Sequence, residues 1–241
     1  MIGFSLNLQR GKRLTPSLPS SPYAAHLARM RSAAPNASGY YTGQDYTVSF
    51  TQAGKFVDAF GGALTYTSPN VQASPTRVVD VTSGMVYVSA DGAEDTAIGS
   101  AGQNVTAYTA LCRSPQATWN TYAGVLETTM GDPNVLGLLG AGSTAFHGGL
   151  YPRSVHRNGM PVSPVPFNLA PIRPWVVLTV FTRNPTNTST LGIAQFNNGL
   201  FLCLHLACLL TWDIDDPDDD EVEAAEEELS SYYGPLLATN P

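Results

Sequence analysis

The chain has 241 residues, enough for one large domain around a single core, and only 13% of them are charged, about half the share usual in soluble domains. So lightly charged an exterior argues against a solitary monomer and for a surface largely covered by partners. The net charge of −7 hides an asymmetry: residues 1–44 hold Arg10, Lys12, Arg13, Arg29 and Arg31 with no acid, and residues 213–241 hold eleven acids with no base.

Residues 1–20 mix Pro, Ser, Arg and isolated apolar residues without a sustained period, as an extended arm lying on a neighbour does. No basic start followed by a long apolar stretch reads as a signal peptide, so synthesis in the cytoplasm is expected. Ser21 followed by Pro22 offers a capping hydroxyl and a proline at the first helical position, which predicts a helix over Tyr23 to Ala34, ended by Pro35, Asn36 and Gly39. Arg29 and Arg31 fall in its last turn, where positive charge complements the helix dipole.

From Tyr40 to about Met130 short β-branched and aromatic runs alternate with Gly, Pro, Asn and Ser clusters, the rhythm of a sandwich or barrel. Alternation places Tyr46, Val48 and Phe50 on one face of a half-buried strand. Further strands are expected at Ala63 to Thr67, Thr76 to Val81, Met85 to Ala90, Gln103 to Arg113 and Thr118 to Thr129. Turns are expected at Gly61-Gly62, Pro69-Asn70, Ser83-Gly84 and Asp91-Gly92. Asp132-Pro133 opens a short helix over Asn134 to Leu139, and residues 147–174 form a long Pro- and Gly-rich connection.

Two apolar strands follow. Trp175 to Phe181 is apolar on both faces, and Leu200 to Trp212 places Leu200, Leu202, Leu204 and Leu206 on one face with Phe201, Cys203, His205 and Ala207 on the other, so both strands are central and covered on each side. The run Leu200 to Leu210 is about half the length a membrane span needs. Asp216-Pro217 then signals a C-terminal helix whose Val222, Ala225 and Leu229 share one stripe, with the remaining carboxylates facing water.

Chemistry is sparse. His26, His147, His156 and His205 have no metal-ligand spacing to one another or to a cysteine, and Ser143 lacks the setting of a nucleophile elbow. Cys112, Cys203 and Cys208 are an odd, widely spaced set that gives no disulfide framework and no zinc or redox pair. The densest charge feature is the run from Asp213 to Asp220; Asp213, Asp215, Asp216 and Asp218 are candidate calcium ligands, against the plainer reading of a solvated helix start, since an EF-hand's glycine and closing glutamate are missing.

The order of arm, short helix, many short strands and two closing apolar strands resembles the single jelly-roll coat proteins of small icosahedral RNA viruses. Trp175 to Phe181 followed by Arg183-Asn184-Pro185-Thr186, and Gly199-Leu200-Phe201-Leu202-Cys203-Leu204-His205-Leu206, look like the last two strands of that fold. The likeness covers Tyr40 to Trp212. It implies an all-β fold: an antiparallel β-sandwich, an eight-stranded jelly roll of two four-stranded sheets, with short N-terminal, mid-chain and C-terminal helices. The expected divisions are an N-terminal arm with its helix at 1–39, a shell domain at 40–212 and an acidic helix and tail at 213–241. The resemblance also implies loops that meet sibling subunits around symmetry axes and an arm facing the shell interior, with Arg10, Lys12 and Arg13 towards genomic RNA. Five basic residues spread over 44 would neutralise few phosphates, and the acidic C-terminal helix departs from the pattern.

The expected function is therefore a non-enzymatic capsid subunit that self-assembles, is assembled in the host cytoplasm, resides in the virion and has no membrane span. One alternative is a carbohydrate- or receptor-binding sandwich of a viral spike or fibre, with Tyr40, Tyr41, Tyr151 and Trp119 stacking on sugars. Another is an enzyme on a β-scaffold, which needs a cleft gathering at least two of His147, His156, Asp58 and Glu127.

Overall fold

The computed structural model of the protein describes residues 21–92, 95–99, 104–120, 122–128, 139–148, 152–183, 191–196, 200–213 and 215–240. In chain order these form α1 (Pro22–Ala33), β1 (Gly39–Thr42), β2 (Tyr46–Ser49), β3 (Gln52–Val57), β4 (Thr65–Thr67), β5 (Thr76–Val79), β6 (Val86–Asp91), β7 (Ala97–Ile98) and β8 (Ala107–Arg113). There follow β9 (Leu126–Thr128), β10 (Ser154–Arg157), β11 (Met160–Pro161), β12 (Val176–Phe181), β13 (Leu191–Ile193), β14 (Gln195–Phe196), β15 (Leu200–Phe201), β16 (Cys203–Trp212), α2 (Asp219–Tyr232) and α3 (Gly234–Leu237).

The chain is mostly β, with antiparallel sheets and few helices. The larger sheet runs β11-β10-β12-β8-β16-β6-β5 with β1 also on β16; the smaller runs β2-β3-β4-β7-β13-β9, and β14 and β15 form a two-stranded ribbon. From β6 onwards, the edge hairpin β10–β11 and the ribbon β14–β15 apart, the strands alternate between the sheets: β6, β8, β12 and β16 in the larger, the short β7, β9 and β13 in the smaller. The described sheets thus hold eight and six strands rather than four each. β2 and β3 lie at one edge of the smaller sheet, β5 and the β10–β11 hairpin at the two edges of the larger, and β1 is added along β16.

β16 is the spine. One edge pairs with β8 along nearly its whole length, while the other is shared: Cys203 to Leu206 pair with β6, and Cys208 to Thr211 pair with β1. The changeover is a register shift between Leu206 and Cys208, where the Ala207 carbonyl accepts from the Gly43 amide at 2.9 Å. An extra residue reverses which face each side chain takes. Leu204, Leu206 and Leu209 therefore all face the smaller sheet, and Cys208, Leu210 and Trp212 face the helices. The expected alternation holds as far as Ala207, which faces the helices, and the phase is inverted from Cys208 onwards.

Two apolar layers result. Between the sheets lie Tyr41, Phe56, Tyr66, Tyr108, Leu126 and Leu178 with their neighbours. On the outer face of the larger sheet, Trp175, Val177, Leu210 and Trp212 pack against Met30 of α1, Val222, Ala225 and Leu229 of α2, and Leu236 of α3. Both faces of β12 and β16 are covered, as their unbroken apolar sequences require.

The helix ends follow from side-chain chemistry. The Ser21 hydroxyl accepts from the Ala24 amide at 3.1 Å, capping α1 one residue before Pro22. α2 is capped by Asp218 rather than Asp216: its carboxylate accepts from the Glu221 amide at 2.7 Å, and Pro217 lies outside the helix.

Other expectations are revised. β2 ends at Ser49, so Phe50 sits in the β2–β3 turn, fully exposed, instead of sharing a buried face with Tyr46. β1, a buried Tyr-Tyr-Thr run paired with β16, and β3, whose Gly- and Lys-containing sequence carries a weak strand signal, are additional strands. The 147–174 connection contains the β10–β11 hairpin at the edge of the larger sheet, where Pro161 removes no ladder bond from a central strand. The mid-chain helix expected from Asn134 lies almost wholly outside the described residues.

Candidate functional site

The acidic segment that the sequence marks most strongly becomes α2, laid across the larger sheet with its Val222–Ala225–Leu229 stripe buried as expected. Its carboxylates do not all face water. Glu221 is 7% exposed and accepts from the Asn36 amide at 2.9 Å, the Asn36 side-chain amide at 3.1 Å and Trp212 Nε1 at 3.1 Å. Glu226, also buried, accepts from the Thr179 hydroxyl, which in turn shares a 2.8 Å hydrogen bond with Thr109. Burial raises the Glu226 pKa, and the Thr179 bond opposes that rise.

The third anchor joins α2 to α1. Glu228 meets His26 Nδ1 at 2.7 Å and Arg29 Nε at 2.8 Å. Burial pulls the Glu228 carboxyl upward, and the hydrogen bonds from Arg29 and His26 outweigh it and hold the group below the usual carboxylate range. A carboxylate at Nδ1 places the proton there, so Nε2 accepts from the Tyr40 hydroxyl at 2.8 Å. The imidazole is fully buried and stacks on Tyr232 at 3.9 Å, and burial lowers its pKa. Glu221 and Glu226 are buried because the sheet face under α2 presents the ring N–H of Trp212 and the hydroxyl of Thr179, and a buried donor requires an acceptor.

The acids left in solvent are Asp215, Asp216, Asp218, Asp219, Asp220, Glu223 and Glu227. All but Asp220 rim two clefts. One, of about 400 Å³, lies between α2 and the β10–β11 turn and includes His156, Asp219, Val222, Glu223 and Glu226 among its walls. The other, of about 480 Å³, is lined by residues 35–38 together with Asp213, Asp215, Asp216, Asp218 and Glu221. All four candidate calcium ligands therefore share one cleft. Two are committed elsewhere, Asp216 to Arg153 at 2.9 Å and Asp218 to the helix cap, and burial raises the Asp213 pKa. Among the described residues no group of three or more His, Cys, Asp or Glu side chains is disposed to hold a metal ion, so this geometry gives calcium no support.

The remaining candidates are dispersed. Arg10, Lys12 and Arg13 lie outside the described residues. His156 lines the α2 cleft, His147 lies edge-on to Tyr122, Asp58 is buried with its carboxylate accepting amides of its own turn, and Glu127 is buried between the sheets. None of the described clefts gathers two of these four. Arg113 donates to His205 Nδ1 at 3.1 Å, the ring stacks on Tyr87, and burial, then the Arg113 charge, pushes the His205 pKa down to about 4. Ser143 is a turn residue whose hydroxyl accepts from the Ala145 amide. Tyr40, Tyr41 and Trp119 are buried and offer no stacking platform for a sugar; Tyr151 is outside the described residues. The three cysteines are free and buried, and burial pushes the Cys112 and Cys208 thiols up to about 12.

No described helix is long and apolar enough to cross a membrane. No protein-family model matches the chain, and no curated protein does. The chain is similar to the Trypanosoma rangeli sialidase in complex with 2,3-difluorosialic acid (covalent intermediate), at 8% identity and a TM-score of 0.44, over 87% of this chain and 38% of that one. This chain thus spans well under half the length of that sialidase, and a likeness at such a score carries no argument about fold or chemistry.

Proposed function

We propose that this chain is a structural subunit that self-assembles into a closed shell, the coat protein of a small icosahedral virus built on a jelly roll. The supporting observation is strand order. In the larger sheet β6, β16, β8 and β12 are neighbours in that sequence, and in the smaller sheet β7, β13 and β9 are. Alternation between sheets from β6 onwards, with β6 and β16 side by side, is the strand order expected of nested Greek keys and supports the jelly-roll reading. Low surface charge and covered faces on both central strands fit a subunit whose activity is packing.

On this reading the partners are other copies of the chain or sibling coat proteins, and the N-terminal arm meets genomic RNA through Arg10, Lys12 and Arg13. The working location is the virion, after assembly in the host cytoplasm. Electron microscopy of the purified full chain tests it: closed particles of uniform diameter are expected, and a field of unassociated molecules at high protein concentration would overturn it.

A further inference from the structure

Between Tyr46 and Val79 the ionic side chains are Lys55, Asp58 and Arg77. Asp58 is 3% exposed and accepts amides of Tyr40, Phe60 and Gly62, so the charge this stretch shows to solvent is cationic. The same stretch builds one flank of the sandwich. β2 ends the smaller sheet and β5 ends the larger, and the two strands lie side by side. They are tied by the Tyr46 hydroxyl donating to the Pro75 carbonyl at 2.8 Å and by Arg77 Nε donating to the Gly43 carbonyl at 3.2 Å.

This flank is also where exposed apolar surface collects. Of the eight large hydrophobic side chains exposed among the described residues, Val48, Phe50, Val57, Val79 and Val81 lie on or next to these strands. Phe50 is 103% exposed at the β2–β3 turn. An open strand edge with apolar side chains recruits a partner unless something blunts it, and here the charges are the cations Lys55 and Arg77 with one acid, Asp80 between Val79 and Val81, whose carboxylate is turned onto the amides of Thr82 and Ser83. The opposite sign lies on another face: Asp219, Glu223 and Glu227 of α2 are exposed beside the 400 Å³ cleft whose wall includes Val222.

We infer that the β2–β3 and β5 flank of one copy docks on α2 of the next, with Lys55 and Arg77 meeting Asp219, Glu223 and Glu227 and Phe50 entering the cleft between α2 and the β10–β11 turn. The inference rests on the shell reading above and names the contact that builds the shell. Charge complementarity selects the occupant: a second copy supplies a cationic, apolar edge to an acidic helix, and like charges keep flank from flank and helix from helix. Because the two surfaces differ, each copy presents one of each. The contact is head to tail, the kind that closes into rings when the rotation permits.

Assembly of the full chain by sedimentation velocity and electron microscopy tests this, using Lys55→Glu/Arg77→Glu, Glu223→Lys/Glu227→Lys and Phe50→Ser. The wild type is expected to assemble, each double variant to stay monomeric, and an equimolar mixture of the two double variants to assemble again, because the swapped charges attract. Particles from either double variant alone, or a mixture that stays monomeric, overturn the docking while the shell reading stands. A monomeric wild type overturns the shell reading itself. Should a double variant melt early, Phe50→Ser decides, since it removes only a solvent-exposed ring: lost assembly supports the contact and unchanged assembly refutes it.

Discussion

Replacing Glu221 tests whether the acidic helix is anchored by its carboxylates or merely solvated. In Glu221→Ala, Trp212 Nε1, on a side chain 1% exposed, loses its acceptor, at about 1–3 kcal/mol for a buried unsatisfied donor. The part-buried Asn36 amide adds about 1 kcal/mol, and the Asn36 side chain turns to water at little cost. The total is about 2–4 kcal/mol, a fall in Tm of roughly 4–16 °C for a chain of this size. Glu221→Gln keeps one oxygen facing the Asn36 amide and Trp212, and Asn36 can turn its own oxygen to the new amide, so a loss below about 1 kcal/mol is expected. Thermal and urea unfolding followed by circular dichroism, at matched protein concentration because association shifts apparent stability, measures both variants. Equal losses in the two, or a Glu221→Ala loss within the roughly 0.5 kcal/mol of an ordinary surface change, would refute the anchoring argument.

Stability should also fall with acid before the carboxylates titrate. His205 is pushed from 6.5 down to about 4 and His26 is lowered by burial, so the fold holds both rings neutral. Their contribution is full above about pH 6.5 and is lost as pH drops towards 4. Urea midpoints from pH 8 to 4.5 should decline, and the decline should flatten in His205→Asn; an unchanged slope contradicts the assignment. Cys112 and Cys208, buried with thiols pushed up to about 12, should resist a thiol reagent at pH 8 and react fully in urea. Rapid labelling of the folded protein would contradict their burial. Leu229→Ala, at a site 0% exposed beneath α2, should lose about 2–5 kcal/mol in the same unfolding assay, and a negligible loss would mean the helix is not docked.

Long apolar strands and helix caps were the most legible features. Trp175 to Phe181 and Leu200 to Trp212 read as central because no solvent face can be drawn on them; Val176–Phe181 and Cys203–Trp212 do lie at the centre of the larger sheet, whereas Leu200–Phe201 splits off to pair with Gln195–Phe196. Ser21-Pro22 marks its helix because a hydroxyl followed by proline satisfies one orphan amide and removes another. Position along a sheet was not legible. The bulge at Ala207 leaves no composition signal, yet it inverts the facing of the last five residues of β16. Phe50 alternates correctly with Tyr46 and Val48, but the hairpin closes one residue earlier, and a local pattern does not contain that partner. The anchoring carboxylates were hidden for a related reason. Glu221 and Glu226 look like any other acid of the run, and only Trp212 and Thr179, brought under α2 by the sheet, distinguish them.

The central claim is that the chain works by packing against its own kind, and sedimentation velocity of the purified full chain across salt and pH tests it most directly. The account predicts a large, homogeneous species in at least one condition, giving way to monomer as salt screens the cationic flank from the acidic helix. A single monomeric boundary at every salt and pH, from protein that unfolds cooperatively and is therefore folded, would contradict it.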